Sequence, residues 1–329
     1  MLKIFTMNIS KYSDALIQHL EENVAVKEPN SLYEPIEYIL NLGGKRLRPV
    51  LTLMAADFFG ANFKDALNAS LAVEMFHNFS LVHDDIMDNA PLRRGHVTVH
   101  EKWDINTGIL SGDAMLILAY QLFESYEPLV FRQLAKLFSK TALEVCEGQQ
   151  YDVDFETRTD VTIPEYIKMI EYKTAVLIGA SLQMGAIIAE ASDSCKEKIY
   201  NFGKYLGIAF QLQDDYLDAF GDPETFGKQV GGDIMANKKT FLYLTALQKS
   251  TPDQAEMLTA LFGTLPEDSS KKVVTAKELF VATGAAKATE DEIETYTHKA
   301  VSQLEEIKIS EENRALLQRF ADGLMKRKV

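Results

Sequence analysis

The stretch SLVHDDIMDNAPLRRG (residues 80–95) decides how this chain is read. Three aspartates, Asp84, Asp85 and Asp88, close an apolar run, and Arg93 and Arg94 follow. On a helix, Asp84 and Asp88 share one face, and such a like-charged pair costs roughly 0.2–0.5 kcal/mol. Asn89-Ala90-Pro91 terminates the helix just beyond, so the carboxylates also sit at the end where the macrodipole disfavours negative charge. Acids gathered there need a positive partner.

The pattern recurs. FQLQDDYLDAFGDP (residues 210–223) places Asp214, Asp215 and Asp218 at the end of another apolar helix, again just before a glycine–proline stop. Two matching DDxxD patterns are poorly explained as solvated helix ends. Magnesium is the cation whose habits fit: it prefers oxygen, keeps some water, and is held by one or two carboxylates plus substrate phosphates. Bound ions would relieve both the repulsion and the unfavourable dipole, and two such clusters would bracket a diphosphate.

Around these motifs the chain reads as helix after helix. Apolar residues recur at three-and-four spacing in SDALIQHLEENV, KDALNASLAVEMFHNFSLVHDD, FRQLAKLFSKTALEVCEGQQYDV, PEYIKMIEYKTAVLIGASLQMGAIIAEA and the closing ENRALLQRFADGLM. Stop and start signals such as Gly43-Gly44, Pro91, Pro128, Pro164 and Thr251-Pro252 separate them. HVTVH (96–100) is the one short strand candidate. No low-complexity linker interrupts the 329 residues. The expectation is an all-α fold, a large helical bundle in a single domain spanning residues 1–329.

Composition narrows the class. Hydrophobic residues make up 47% and charged residues 25%, the balance of a globular protein. A net charge of −14 argues against a nucleic-acid partner. The longest uncharged run, Thr174–Ala189, is too short for a transmembrane segment, and its small residues (Gly179, Ala180, Gly185, Ala186) suit a tightly packed buried helix. Two distant cysteines, Cys146 and Cys195, point to a reduced, cytoplasmic setting.

An acidic protein that binds diphosphate must concentrate its cations locally. GGKRLRP puts Lys45, Arg46 and Arg48 beside a flexible turn, Arg93 and Arg94 follow the first motif, and Lys228, Lys238 and Lys239 follow the second. Arginine forks match phosphate oxygens, and lysines act as point charges. His77 lies almost two helical turns before Asp84, so both project from one face.

These pieces together resemble a trans-isoprenyl diphosphate synthase of the polyprenyl synthetase family. The matching motifs are GGKRLRP, LVHDDIMDNAPLRRG, EGQQYDVDFE, YKTAVL, AFQLQDDYLD and GKQVGGDIMANKKTF, in the family's order, from about residue 40 to 245. The resemblance implies an isoprenoid synthase-like bundle around a deep central cavity, usually a homodimer. It implies condensation of isopentenyl diphosphate with an allylic diphosphate (dimethylallyl, geranyl or farnesyl), releasing pyrophosphate. About three Mg2+ ions would be held by Asp84, Asp85, Asp88, Asp214, Asp215 and Asp218. Arg93, Lys173, Lys228 and Lys238 would contact the allylic diphosphate; Gly44, Lys45, Arg48, His77 and Arg94 would bind that of isopentenyl diphosphate. Gln149, Asp152, Thr174, Phe210 and Gln211 match further cavity positions, and the oxygens of Thr174 and Gln211 would stabilise the carbocation.

Ionising an allylic carbon–oxygen bond needs charge stabilisation on the leaving group rather than a protein nucleophile. No convincing serine–histidine–aspartate arrangement is present. The resemblance also assigns product length to residues just before the first aspartate, here Phe79 and Ser80, with Phe76 deeper; a 1.5 Å rise puts Phe79 ~7 Å and Phe76 ~12 Å along the helix from Asp84. One bulky residue beside a serine favours a twenty-carbon product, geranylgeranyl diphosphate, over a farnesyl or a longer one. A terpene cyclase would carry a different second metal motif. A non-catalytic partner subunit of a heteromeric synthase would be expected to lose an aspartate cluster or a basic group.

Overall fold

Helix α4 (Leu67–Met87), which carries the first aspartate motif, is buried nearly all round from Ala69 to Phe79. Such a helix is stable only with neighbours on most sides, and α4 has them: α1 (Leu2–Asn23), α2 (Asn30–Asn41), α3 (Leu47–Phe58), α5 (Val99–Lys102) and α6 (Ile105–Gln121). The computed structural model describes residues 2–222, 230–264 and 270–325. It is all-α, apart from a two-residue hairpin, β1 (Leu92–Arg93) with β2 (His96–Val97). The expected HVTVH strand therefore shrinks to His96–Val97, because Thr98 turns the chain into α5.

Among the described residues the remaining α-helices are α7 (Pro128–Thr157), α8 (Ile163–Ile170), α9 (Val176–Ile188), α10 (Asp193–Phe220), α11 (Gly232–Met235), α12 (Phe241–Lys249), α13 (Pro252–Phe262), α14 (Ser270–Ala282), α15 (Ala285–Glu305) and α16 (Glu311–Met325). Local chemistry sets several starts. Thr162 and Glu165 form a reciprocal capping box on α8, and Thr251 and Gln254 do the same for α13, each with proline in the first turn. The side chain of Asp104 caps α6 by accepting from the Thr107 amide at 2.9 Å.

The chain divides into two compact units: residues 1–139, 180–200 and 308–310, and residues 140–179, 201–307 and 311–329. In the first, α4 is the central helix, with Leu71, Ala72, Val73 and Phe76 at 0–1% exposure. In the second, α12 packs against α8, α13, α14 and α15. Its Phe241, Leu242 and Leu244 join Tyr166, Ile170, Leu212, Leu258 and Phe280 in one core. Among the described residues no helix is long and apolar enough to cross a membrane.

PEYIKMIEYKTAVLIGASLQMGAIIAEA reads as one helix, but a π-helical turn, Glu171–Ala175, separates α8 from α9. Gly148 on α7 gives the physical reason for the close fit there: a Cβ on it would lie 2.2 Å from the Lys173 backbone nitrogen. Further on, the small residues of α9 do what their size suggests. A Cβ on Gly185 would meet the Thr52 carbonyl oxygen at 2.3 Å. Gly185→Ala must push α9 away from α3, and a loss of about 1–3 kcal/mol is expected in chemical denaturation; an unchanged midpoint would contradict this packing.

Candidate active site

Two groups of charged side chains account for nearly all the residues singled out in the sequence. The first surrounds the end of α4. Asn89 takes the left-handed conformation (φ 50°), the Ala90 amide donates to Asp85 O at 2.9 Å, and the Asn89 amide to Ile86 O at 3.3 Å. This is a Schellman stop with asparagine in the usual glycine place. The chain then turns back through the β1–β2 hairpin, whose loop residues Arg94 (φ 54°) and Gly95 (φ 78°) both have the positive φ of a type I′ turn.

That turn returns two arginines to the helix end. Arg93 Nε donates to both Asp85 oxygens, at 3.0 and 3.2 Å, and its Nη2 lies 3.7 Å from Asp84 Oδ2. Burial of Arg93 opposes its charge, but the bond to Asp85 and the charges of Asp85, Asp84 and Asp88 together outweigh it and raise its pKa. Asp85 is itself displaced upward by burial, with Arg93 opposing and Asp84 adding to the shift. Asp88 is the exposed C-cap residue. Arg94 reaches across to donate to the Gly43 carbonyl. Its guanidinium fills the place a side chain at Gly44 (φ 124°) would need, since a Cβ there would lie 2.8 Å from Arg94 Cζ.

Behind the Gly43-Gly44 turn the cations are buried. Arg48 Nη1 lies 3.1 Å from His77 Nε2. Burial pushes the Arg48 pKa down to about 10, Glu74 opposing and Arg94 adding to the shift. His77 is driven well below the usual histidine range by burial and by Arg48, Arg94 and Arg93, so it is neutral at pH 7. Arg46 Nη2 bonds Leu40 O at 2.9 Å, and its Nε stands 4.0 Å from Glu74. Arg46 Nη1 and Arg48 Nε are buried without hydrogen-bond partners among the described residues. Donors left this way favour an incoming anion. Lys45 is exposed at the same turn. Phe76 and Phe79 lie on α4 below Asp84, and Ser80 donates to its own helix at His77 O, 2.8 Å.

The second group lines a cavity of about 320 Å³ whose walls include Asp152, Tyr166, Lys173, Thr174, Gln211, Asp215, Asp233 and Lys238. Lys173 donates to Asp152 Oδ2 at 2.6 Å, and Lys238 stands 3.6 Å from the same oxygen. Burial would raise the pKa of Asp152, but Lys173 and Lys238 more than offset it and hold it low. The Thr174 hydroxyl donates to Gln211 Oε1 at 3.2 Å, and Gln211 Nε2 to Asp215 Oδ1 at 3.0 Å. The buried Tyr166 phenol donates to the other Asp215 oxygen. Even so, burial and the neighbouring Asp233 carry Asp215 well above the usual carboxylate range. Asp214 and Phe210 are half-buried on α10, and Gln149 is half-buried on α7.

Asp218 has a structural task here. Its Oδ2 accepts from the Asp233 amide at 3.0 Å and its carbonyl from Gly231 at 2.6 Å, which anchors the turn into α11. That short helix ends like α4: Asn237 (φ 59°) is left-handed, and the Lys238 amide donates to Asp233 O at 2.9 Å. The turn sends Lys238 to Asp152 and Lys239 to the Phe155 and Glu156 carbonyls, at 2.7 and 3.0 Å, near the end of α7. Lys228 lies outside the described residues.

The donor set suits magnesium. Carboxylates at both motifs are all-oxygen ligands, and the upward displacement of Asp85 and Asp215 marks negative charge that a cation would relieve. Among the described residues no three acidic, histidine or cysteine side chains form a metal cage. Magnesium completed by phosphate and water needs none.

Sequence reasoning passed over Glu74, Tyr166, Asp233 and Lys272. Glu74 and Tyr166 carry no local signal, since each stands at an ordinary helix-core spacing. Lys272, on α14, is 3% exposed; its Nζ donates to Asn237 Oδ1 and to Thr264 O, the latter at 2.9 Å. It fastens the turn that aims Lys238. Lys272→Met would leave both acceptors without this donor, and a loss of about 1–3 kcal/mol is expected by denaturant melting; full stability in the variant would contradict that role.

Comparison with known proteins identifies the family. The polyprenyl synthetase family model matches residues 29–279. The chain is 41% identical over 244 residues to geranylgeranyl diphosphate synthase of Methanosarcina mazei, covering 74% of each. It is 33% identical over 320 residues to a short chain isoprenyl diphosphate synthase of Methanothermobacter thermautotrophicus, covering 97% of each. A crystal structure of a geranylgeranyl pyrophosphate synthase superposes with a TM-score of 0.92 at 56% identity, over 98% of this chain and 99% of the other.

Proposed function

This chain belongs to the polyprenyl synthetase family and is a prenyltransferase, and we propose that it catalyses the Mg2+-dependent head-to-tail condensation of isopentenyl diphosphate with an allylic diphosphate. The allylic substrate is dimethylallyl, geranyl or farnesyl diphosphate, and the product is geranylgeranyl diphosphate. One observation carries this reading. Cations that match diphosphate are already held beside both aspartate motifs: Arg93 by Asp85 itself, and Lys173 with Lys238 by Asp152, in the cavity that Asp215 also lines.

Asp84, Asp85 and Asp88, with Asp214, Asp215 and Asp218, serve about three Mg2+ ions. When bound, the metal supplies charge neutralisation to the leaving diphosphate. Arg93, Lys173, Lys228 and Lys238 take the allylic diphosphate itself. Arg48 and the turn residues Gly44, Lys45 and Arg94 take the diphosphate of isopentenyl diphosphate, with neutral His77 as a hydrogen-bonding partner. The Thr174–Gln211 pair presents oxygen dipoles to the carbocation, and its bond to Asp215 fixes their direction. Phe79, Ser80 and Phe76 bound the prenyl chain. Residues 1–329 act as a single domain in this scheme. α6 exposes Ile105, Ile109, Leu110 and Ile117, an apolar stripe that supports a homodimer.

Asp84→Ala and Asp214→Ala should each lower kcat/KM by roughly 10²–10³-fold or more. Arg48→Ala should instead raise KM for isopentenyl diphosphate with a smaller effect on kcat. Steady-state kinetics with labelled isopentenyl diphosphate distinguishes these effects. Near-parental turnover in either aspartate variant would overturn the proposal.

A further inference from the structure

Phe138, on α7, takes no part in the chemistry above, yet it is packed directly against a residue assigned to product length. Its ring meets Phe76 edge-on, with centroids 5.1 Å apart and planes at 75°. It also meets Tyr120 at 4.7 Å and 88°, and Phe123 at 5.2 Å and 70°. Phe76 in turn lies 5.5 Å from Phe79, and Phe79 4.8 Å from His83, the residue before Asp84. Aromatic contact therefore runs without a break from the first aspartate motif down to α7.

The far end of this run is fixed. Phe76, Phe123 and Phe138 are 0–1% exposed. Ser139 donates its hydroxyl to Ala135 O at 2.7 Å, so at 2.8 Å it accepts from the Tyr120 phenol and pins that ring to α7. In an interior packed to crystal density, a ring surrounded this way moves only if its neighbours move. Ser80, by contrast, adds little bulk and turns its hydroxyl back to its own helix. On the α7 side, Phe76 can yield to a lengthening prenyl chain only by displacing Phe138.

We propose that Phe138 is a positioning residue for product length, locking Phe76, and through it Phe79, as a rigid aromatic stop for the apolar end of the prenyl chain. This rests on the reading of Phe79 and Phe76 as chain-length residues. A residue that served stability alone would, on truncation, lower the melting temperature and leave product size unchanged.

The test sizes the products of Phe138→Ala and Phe138→Leu beside Phe79→Ala and Phe76→Ala, with thermal melts of each. Phe138→Ala should shift the main product upward by at least one five-carbon unit. It should also raise kcat/KM for extending the parental product by roughly tenfold or more, the discrimination a filled apolar pocket supplies. Phe138→Leu, which keeps most of the bulk, should restore the parental length. If Phe138→Ala does not fold, Phe138→Val carries the same expectation. Longer products from Phe79→Ala or Phe76→Ala, with parental products from the Phe138 variants, would overturn this proposal and leave the chain-length reading intact. Parental products from all of them, in active enzyme, would overturn both.

Discussion

Carboxylates stand toward the carboxyl ends of two helices, where the helix dipole opposes their charge, and at Asp85 and Asp215 burial opposes it too. Nearly everything distinctive about the site answers that constraint. On α4 the answer is Arg93, returned to Asp85 by a two-residue hairpin. On α10 it is the phenol of Tyr166 and the amide of Gln211, which occupy both oxygens of Asp215. Neither is complete, since Asp85 and Asp215 both remain displaced toward the protonated form. A divalent cation arriving with diphosphate would finish the neutralisation, and that is why the arrangement fits substrate-dependent metal binding better than a permanent metal centre.

The same turn is used twice to aim the cations. Left-handed Asn89 ends α4 and directs the chain toward Arg93 and Arg94; left-handed Asn237 ends α11 and directs it toward Lys238 and Lys239. Asparagine tolerates this conformation at modest cost because its short amide can bond locally. At Asn237 that amide oxygen is held by buried Lys272. One side chain of α14 thus ties the C-terminal part of the chain to the site.

Much of this is legible in the amino-acid sequence. The two DDxxD motifs, the stop after Asp88 and the helix boundaries marked by Pro164 and Thr251-Pro252 follow from local rules that act within a few residues. So does the all-α class. The π turn at Glu171–Ala175 is not legible there, and neither is the close approach of Gly148 on α7 to the Lys173 backbone that accompanies it. Glu74 and Tyr166 are hidden because a polar residue at a core spacing shows its partner only in three dimensions. Asp218 reads as a metal ligand like its neighbours, and its bond to the Asp233 amide gives it a further role in holding the turn before α11.

The most direct measurement is a product assay. Purified protein with Mg2+ and labelled isopentenyl diphosphate is supplied separately with dimethylallyl, geranyl or farnesyl diphosphate, and the dephosphorylated products are sized by chromatography. The account predicts elongation from at least one of these primers, dependent on Mg2+ and stopping at a single twenty-carbon alcohol. A stop at fifteen carbons would keep the reaction and contradict Phe79 and Phe76 as the limit. No elongation from any primer would contradict the central claim, that the charges gathered at the two helix ends exist to bind and ionise a diphosphate.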